Sequence, residues 1–180
     1  AILTSTNGDT ILVAPGVYVG QVSTGDRSIR IIATGGPQLT TIDNDGEFFR
    51  LRSDPFDSGW SELVGFTVTG GGTFGDAHLA GGIVAGSRCV VRDCIVTGNI
   101  APEGLGAGGI YGAGQVLIED CIIENNIGSD AGGVILDFPG GIMRRCIIRD
   151  NASWDGPGGV RTDSGGACLL YTSPSPRDDR

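Results

Sequence analysis

The sequence predicts an all-β fold, a single-domain parallel β-helix, and an internal repeat is the first observation behind this prediction. The motif Ala-Gly-Gly followed by an aliphatic residue begins at Ala80, Ala107 and Ala131. A cysteine stands at an equivalent place in each unit, at Cys94, Cys121 and Cys146, with spacings of 27 and 25 residues. A period of this length is typical of a solenoid, whose units bury their apolar faces only by stacking on each other.

The second observation is that each unit contains only short β-branched runs. Val116 to Ile118, Ile122-Ile123 and Ile147-Ile148 are bounded by Gly, Asn and Asp, and none is long enough for a helix. Two or three such strands per unit, separated by corners, form one coil of a β-helix. Neighbouring coils are expected about 4.8 Å apart, the usual spacing of hydrogen-bonded strands.

The third observation is that like residues recur at equivalent positions of successive units. If side chains alternate between inward and outward along each strand, these residues stack into ladders inside the coil. If Cys121 and Ile123 point inward, the pairs Cys94/Val96 and Cys146/Ile148 do so as well. Asn99, Asn126 and Asn151 then stack at the next bend, where Asn tolerates a left-handed conformation and its side chain binds free backbone groups. Gly-Gly allows the following strand to begin at a tight bend.

In chain order, the pattern of residues 1–7 predicts the end of a short amphipathic helix, which Asn7-Gly8-Asp9 closes, and a strand follows over Thr10 to Ala14. Gly8 to Tyr18, Ser28 to Ala33 and Thr41 to Asp43 resemble the N-terminal entry of right-handed parallel β-helix proteins of the pectate-lyase-like superfamily. That resemblance implies a right-handed coil with the N-terminal helix as its cap. A cap is also what the open end of a solenoid requires.

A loop over residues 52–62 interrupts the third coil. Loops at 70–79, 100–106, 127–130 and 152–157 occupy the same place in successive repeats, so they are expected to emerge along one edge of the solenoid. Phe66 precedes Cys94 by 28 residues and is expected in its register. Clear repeats cover 80–106, 107–130 and 131–157, followed by a partial repeat at 158–167. They also resemble the repeats of polymorphic outer-membrane passenger domains.

The predicted domain covers residues 1–167. Residues 168–180, beginning Cys168-Leu-Leu-Tyr, break the repeat and resemble a translated sequencing adapter, so we interpret them as a non-native tail on a metagenomic fragment. The chain does not begin with Met, and no signal peptide is present. We therefore expect a β-helix with a truncated C-terminus, from a protein that continues at both ends.

Composition restricts the partners. The net charge of −9 makes nucleic acid and anionic membranes poor partners, and no apolar run reaches membrane-spanning length. The four cysteines outside the tail lack the paired spacing of a disulfide framework, so we expect free, buried thiols. A four-cysteine zinc site is the alternative, but it requires a tetrahedral arrangement that a straight stack does not provide.

The sequence contains no intact catalytic motif of the polysaccharide-cleaving enzymes in this superfamily. Gly16-Val-Tyr18-Val-Gly20 resembles the opening motif of pectin methylesterases, but Gly20 stands where that family has an acid. Outward positions after each Gly-Gly bring Asp137, Arg161 and Asp163 into two adjacent coils, which makes them catalytic candidates. The alternative is solvated surface charge. Asp43 to Glu47 (DNDGE) resembles a set of calcium ligands, but a lone Asp-Gly pair is more often a turn.

The loop edge is the better candidate for binding. Aromatic faces beside carboxylates suit sugar rings, and the predicted carbohydrate-binding residues are Trp154, Asp155, Asp130, Glu103, Asp76 and Tyr111. Phe74 and His78 accompany them, with no catalytic role for the histidine. An ordinary polar rim is the alternative. We predict a secreted or cell-surface, monomeric domain that binds polysaccharide or another surface without catalysis, metal or cofactor. The alternative function is a fragment of a polysaccharide lyase or glycoside hydrolase whose active coils are missing.

Overall fold

The computed structural model describes residues 2–56, 58–72, 80–101, 106–137 and 140–162, and these residues form a parallel β-solenoid of about five turns. Three sheets run along the solenoid, and every strand pairs in parallel with the equivalent strands of neighbouring coils. This arrangement confirms the predicted all-β fold. Within the described residues, no helix has the length and hydropathy needed to cross a membrane.

The first sheet has six strands, in the spatial order β1 (Thr10–Val13), β3 (Arg30–Ala33), β6 (Ser61–Val64), β9 (Cys89–Arg92), β12 (Val116–Glu119) and β16 (Ile142–Arg144). The second sheet has six, β2 (Gly16–Val19), β4 (Thr40–Asp43), β7 (Thr67–Thr69), β10 (Ile95–Thr97), β13 (Ile122–Glu124) and β17 (Ile147–Arg149). The third sheet has five, β5 (Phe49–Leu51), β8 (Ile83–Ala85), β11 (Ile110–Ala113), β15 (Val134–Asp137) and β19 (Val160–Thr162). A small fourth sheet pairs β14 (Ile127–Gly128) with β18 (Ala152–Ser153).

The core lies inside the coil, and the predicted inward ladders are confirmed. Val96 and Ile123 are fully buried and pair in register across β10 and β13, with Ile148 packed against them in the last coil. Phe66 occupies the ladder position before Cys94, as its spacing predicts, and only 1% of it is exposed. Burial of such aliphatic and aromatic side chains stabilises the fold at about 25 cal/mol per Å² of apolar surface.

The stacked cysteines are buried and free, as expected. Each thiol of Cys94, Cys121 and Cys146 donates to the backbone oxygen two residues before it, at 3.2–3.3 Å. The thiols are therefore weak donors at a corner as well as small apolar groups. Hydrogen bonds with Cys146 and Cys94, together with burial, hold the pKa of the Cys121 thiol well above its usual range. The Cys121 thiol, at the centre of the ladder, is therefore held in its protonated form.

The asparagine ladder is also confirmed, with one correction. Asn99 Nδ2 donates to Asn126 Oδ1 at 2.9 Å, and Asn126 Nδ2 donates to Asn151 Oδ1 at 3.0 Å. However, the left-handed residues are the ones just before the ladder asparagines: Gly98, Asn125 and Asp150, with φ between 54° and 66°. The prediction that the ladder residues themselves adopt this conformation is wrong. The exposed neighbour makes the bend, which leaves the asparagine side chain to point inward and bind.

The predicted N-terminal capping helix is not present in the described residues. Ile2–Thr4 forms a single 3-10 turn, closed by a bond from the Ser5 amide to the Ile2 oxygen at 3.2 Å. Asp9 then accepts bonds from the amide and hydroxyl of Thr6, which favours a second tight turn over a helix. Ile2 packs against the core, whereas Leu3 is 87% exposed. Two competing local turns thus replace the predicted helix.

Candidate functional site

The loop edge, defined here as residues 127–130 and 152–156, has an ordered backbone because its two segments pair with each other. The β14–β18 pairing continues beyond the strands: the Trp154 amide donates to the Gly128 oxygen at 3.1 Å, and the Asp155 amide to the Ser129 oxygen at 2.9 Å. The Ser153 hydroxyl also donates to the Ser129 oxygen, at 2.8 Å. Loops from successive coils are therefore stacked along one edge, as the repeat predicts.

Glycines allow this close stacking. A Cβ atom on Gly156 would lie 1.8 Å from the Asp130 oxygen, and one on Gly108 would lie 2.4 Å from the Gly132 oxygen. Neither contact is possible for a real side chain. The sequence reasoning attributed the Gly-Gly motif to a tight bend, but Gly108 is required by the approach of a neighbouring backbone.

Trp154 and Asp155 project from this fixed backbone toward solvent. Trp154 is 56% exposed, and Asp155 is exposed beside it. Ser153 supports the turn, since its hydroxyl accepts a bond from the Gly156 amide at 3.0 Å. The result is an aromatic face and a carboxylate on an ordered loop, a combination that suits a sugar ring.

Asp130 is held by the next coil. Its carboxylate forms an ion pair with Arg161, and the side chains of Asp130 and Arg161 are 16% and 37% exposed. The Asp130 amide also donates to the Gly106 oxygen at 3.1 Å. The structure thus joins a predicted binding residue to a predicted catalytic one. Together they form a bridge between the loop edge and the outer face of the third sheet.

Tyr111 and Asp137 form a second pair on the outer face of the third sheet. The Tyr111 hydroxyl donates to Asp137 Oδ2 at 2.5 Å, and the tyrosine is only 9% exposed. Tyr111 lies in register with Ile135, which pairs in turn with Arg161, as the repeat alignment predicts. The ring belongs to a small apolar cluster with Ile135 and the alanines at the start of each repeat. Tyr111 therefore offers a ligand little of its ring face.

The described residues include Trp154, Asp155, Asp130, Tyr111, Asp137 and Arg161. The structure pairs Asp130 with Arg161 and Tyr111 with Asp137, and it places Trp154 next to Asp155 on the loop edge. The other predicted site residues, Asp76, Glu103 and Asp163, lie outside the described residues, together with Phe74 and His78. The roles of all these residues stay predictions.

The Asp43 to Glu47 segment forms a turn. Asp43 Oδ1 accepts a bond from the Asp45 amide at 3.1 Å, Asp45 and Gly46 have positive φ, and the Glu47 amide donates to the Asn44 oxygen. These features match the turn interpretation. Within the described ranges, no group of three or more His, Cys, Asp or Glu side chains is arranged to hold a metal ion.

Sequence reasoning missed an ion ladder on the outer face of the first sheet. We define it as Arg30, Glu62, Arg92, Glu119, Asp120, Arg144 and Arg145. Glu119, whose side chain is 6% exposed, is the centre of the ladder: Arg92, Arg144 and Arg145 contact its carboxylate at 3.4, 2.7 and 3.0 Å. Arg30 and Arg92 share Glu62 at 3.1 and 3.4 Å.

A signal for part of this ladder was present in the repeat. Glu119-Asp120 occupies the positions that Arg144-Arg145 occupies one coil later, so opposite charges face each other in register. Arg145 contacts Asp120 at 2.6 Å, and this guanidinium lowers the pKa of the Asp120 carboxyl group below its ordinary value of 3.8. Comparing outward charges between adjacent repeats would have found this contact.

Comparison of the chain with protein-family models, curated proteins and solved structures gave no match. The structure therefore assigns a fold to this chain and not a protein family. The fold is a parallel β-solenoid built from a repeat of about 26 residues.

Proposed function

We propose that this solenoid is a polysaccharide-binding module of a secreted or cell-surface protein related to the pectate-lyase-like superfamily, and that the loop edge is its binding face. The observation that carries the proposal is the exposed Trp154 indole on a backbone tied to the previous coil by two hydrogen bonds. A fixed aromatic platform binds a sugar face at a low cost in conformational entropy. Asp155, beside the indole, can accept bonds from sugar hydroxyls.

Charge favours neutral or cationic glycans over polyuronates. The chain carries a net charge of −9, and Asp155 is exposed at the loop edge itself. A polyanion approaching that carboxylate is repelled unless calcium or another cation bridges the two. Contacts are few and partly solvated, so binding should be weak for a single module.

Catalysis is the second candidate function, in a longer lyase or hydrolase. The Tyr111–Asp137 hydrogen bond at 2.5 Å favours it, since a carboxylate held by a phenol is one component of an acid–base site. Two carboxylates flanking the substrate bond are the usual requirement for glycoside hydrolysis. Asp130 is occupied by Arg161, and Asp163 lies outside the described residues. We therefore rank binding above catalysis.

A glycan array followed by titration tests the proposal. The panel should include neutral β-glucans, chitosan oligosaccharides, and polygalacturonate with and without calcium. Trp154→Ala should abolish binding of the neutral or cationic ligand. Trp60→Ala is a matched control, because Trp60 is 42% exposed on a different loop and should leave binding unchanged. Binding that survives Trp154→Ala, or tightest binding to polygalacturonate without calcium, would contradict the proposed binding face.

The same protein can be assayed for cleavage. Release of reducing ends or of unsaturated products from the bound glycan, lost in Asp137→Asn but retained in Asp155→Asn, would favour the enzyme over the binding module.

A further inference from the structure

A cleft of about 430 Å³ with charged side chains in its lining lies on the solenoid where strands of the third sheet end and strands of the first sheet begin. It is formed by corners of successive coils, so its wall combines residues that are distant in the sequence. Six residues of this wall bear on ligand binding: Asp26, Arg52, Ser53, Ser87, Arg88 and Gly114. The cleft shares no residue with the loop edge.

Cationic side chains outnumber anionic side chains in the lining of this cleft. Arg52 Nη1 contacts Asp26 Oδ1 at 3.4 Å, and both side chains are more than half exposed. Arg88 donates through Nη2 to the Asp54 backbone oxygen. Each guanidinium carries five N–H donors, so these contacts leave most donors of both arginines available. Among the lining side chains, Asp26 is the single carboxylate and Arg52 and Arg88 are two cations, which gives the lining a net positive charge on a chain of net charge −9.

The charges of Arg52 and Arg88 both reach the thiol of Cys89. Cys89 is buried beneath the cleft, with its Sγ 3.8 Å from the Ser53 hydroxyl. Burial raises the pKa of the Cys89 thiol to about 11, while Ser53 and the charges of Arg52 and Arg88 oppose that rise. Both guanidiniums line the same cleft, so they can act together on an anion bound in it.

The part of the cleft lined by Gly114 leaves room for such a group. Gly114 has φ of +84°, which disfavours a side chain, and a Cβ there would lie 3.0 Å from the Ser87 hydroxyl oxygen. The absence of that side chain keeps the Ser87 hydroxyl accessible. Paired guanidiniums with a nearby hydroxyl are a common donor set for carboxylate, sulfate and phosphate groups.

We propose that this cleft binds a small oxyanion through Arg52, Arg88 and Ser87, with Asp26 as an internal competitor for Arg52. The ligand class is a sulfate, phosphate or carboxylate group, free or carried by a larger molecule. This site is independent of the proposed glycan-binding edge. It gives an acidic protein one location where an anion is attracted.

The test is a titration of the ¹⁵N-labelled protein with sodium sulfate at constant ionic strength, monitored at the amides of Gly86, Ser87 and Gly114. Saturable shifts confined to these amides are expected. Arg52→Gln should weaken sulfate binding at least about fivefold, because a charge-assisted contact is lost. Asp26→Asn should tighten it by roughly twofold to fivefold, because the competing acceptor is neutralised.

Two control variants make the same charge changes elsewhere. Arg149→Gln and Glu124→Gln remove the members of an ion pair formed by β17 and β13, and both should leave the sulfate affinity within about twofold. If these controls change the affinity as much as the cleft variants, or if the shifts never saturate, the anion acts by general screening and the proposal fails. Unchanged binding in Arg52→Gln would overturn it as well.

Parallel titrations with phosphate and acetate define the ligand. Tighter binding of sulfate and phosphate than of acetate assigns the cleft to tetrahedral oxyanions, and equal binding of acetate extends it to carboxylates. A response to all three that equals the response to chloride would refute an oxyanion site.

Discussion

The first-sheet ion ladder and the loop edge are both polar, yet they differ in where their side chains are directed. In the ladder, Glu119 is nearly buried and its carboxylate contacts three arginines of the two adjacent coils. On the loop edge, it is the backbone that pairs between coils, while Trp154 and Asp155 project into solvent. A surface whose charges already contact each other stabilises the fold, whereas a rigid surface with exposed side chains is available to a ligand.

This difference separates residues that maintain the solenoid from residues that can act on other molecules. It also explains why abundance of charge was a poor guide to function in this chain. The ladders inside the coil are a third kind of region, since they contribute to stability and do not reach the surface.

Ile123→Ala should have the largest effect, about 2–4 kcal/mol, because it empties a fully buried aliphatic site. Ile122→Ala is the matched control: the neighbouring isoleucine points outward on the same strand and is only half-buried, so its loss should cost clearly less. Chemical denaturation of both variants measures the difference. Equal losses at the two positions would mean that the assignment of inward and outward residues is wrong.

Glu119→Gln should cost about 1–3 kcal/mol, because arginines of the ladder lose the charge that they share. The lower part of this range is expected if water compensates, since the three arginine side chains are 36–52% exposed. Glu124→Gln, which breaks the single ion pair with Arg149, should have a smaller effect. If Glu124→Gln destabilises the protein more than Glu119→Gln does, the ladder is not a stabilising network.

Acid should weaken the ladder in a defined direction. Arg145 lowers the pKa of Asp120 in the folded state, so this carboxylate contributes stability that is fully present above its ordinary value of 3.8. The contribution is lost as the pH falls below 3.8 and through the lower folded-state pKa. The difference in unfolding free energy between the wild type and Asp120→Asn should therefore be present near neutral pH and disappear in acid. The effect is expected to be small, because solvent screens the exposed pair.

Much of the fold could be predicted because the repeat constrains it. The spacing of Cys94, Cys121 and Cys146 determined their register, and Phe66 fell into the same ladder although its coil is interrupted by a long loop. Stacking transmits one correct register to all coils. The N-terminal turn was mispredicted because it lies outside the repeat, where Ser5 and Asp9 make local bonds that compete with a helix.

The candidate site was predicted less completely, because side-chain partners are not determined by register alone. The alignment put Tyr111, Ile135 and Arg161 in one outward row, yet it could not reveal that Arg161 turns to Asp130. The cleft lined by Arg52 and Arg88 could not be predicted from the sequence for a related reason. Arg52 and Arg88 belong to corners with no common motif, and only the folded coil brings them to one place.

The most direct test of the division between fold and function is to measure Trp154→Ala in two ways on the same sample. Chemical denaturation should show an unfolding free energy within about 0.5 kcal/mol of the wild type, because the side chain is largely exposed. Titration with the glycan selected on the array should show that binding is lost. A variant that binds as well as the wild type, or one that loses binding only because it is destabilised by more than about 1 kcal/mol, would contradict the account.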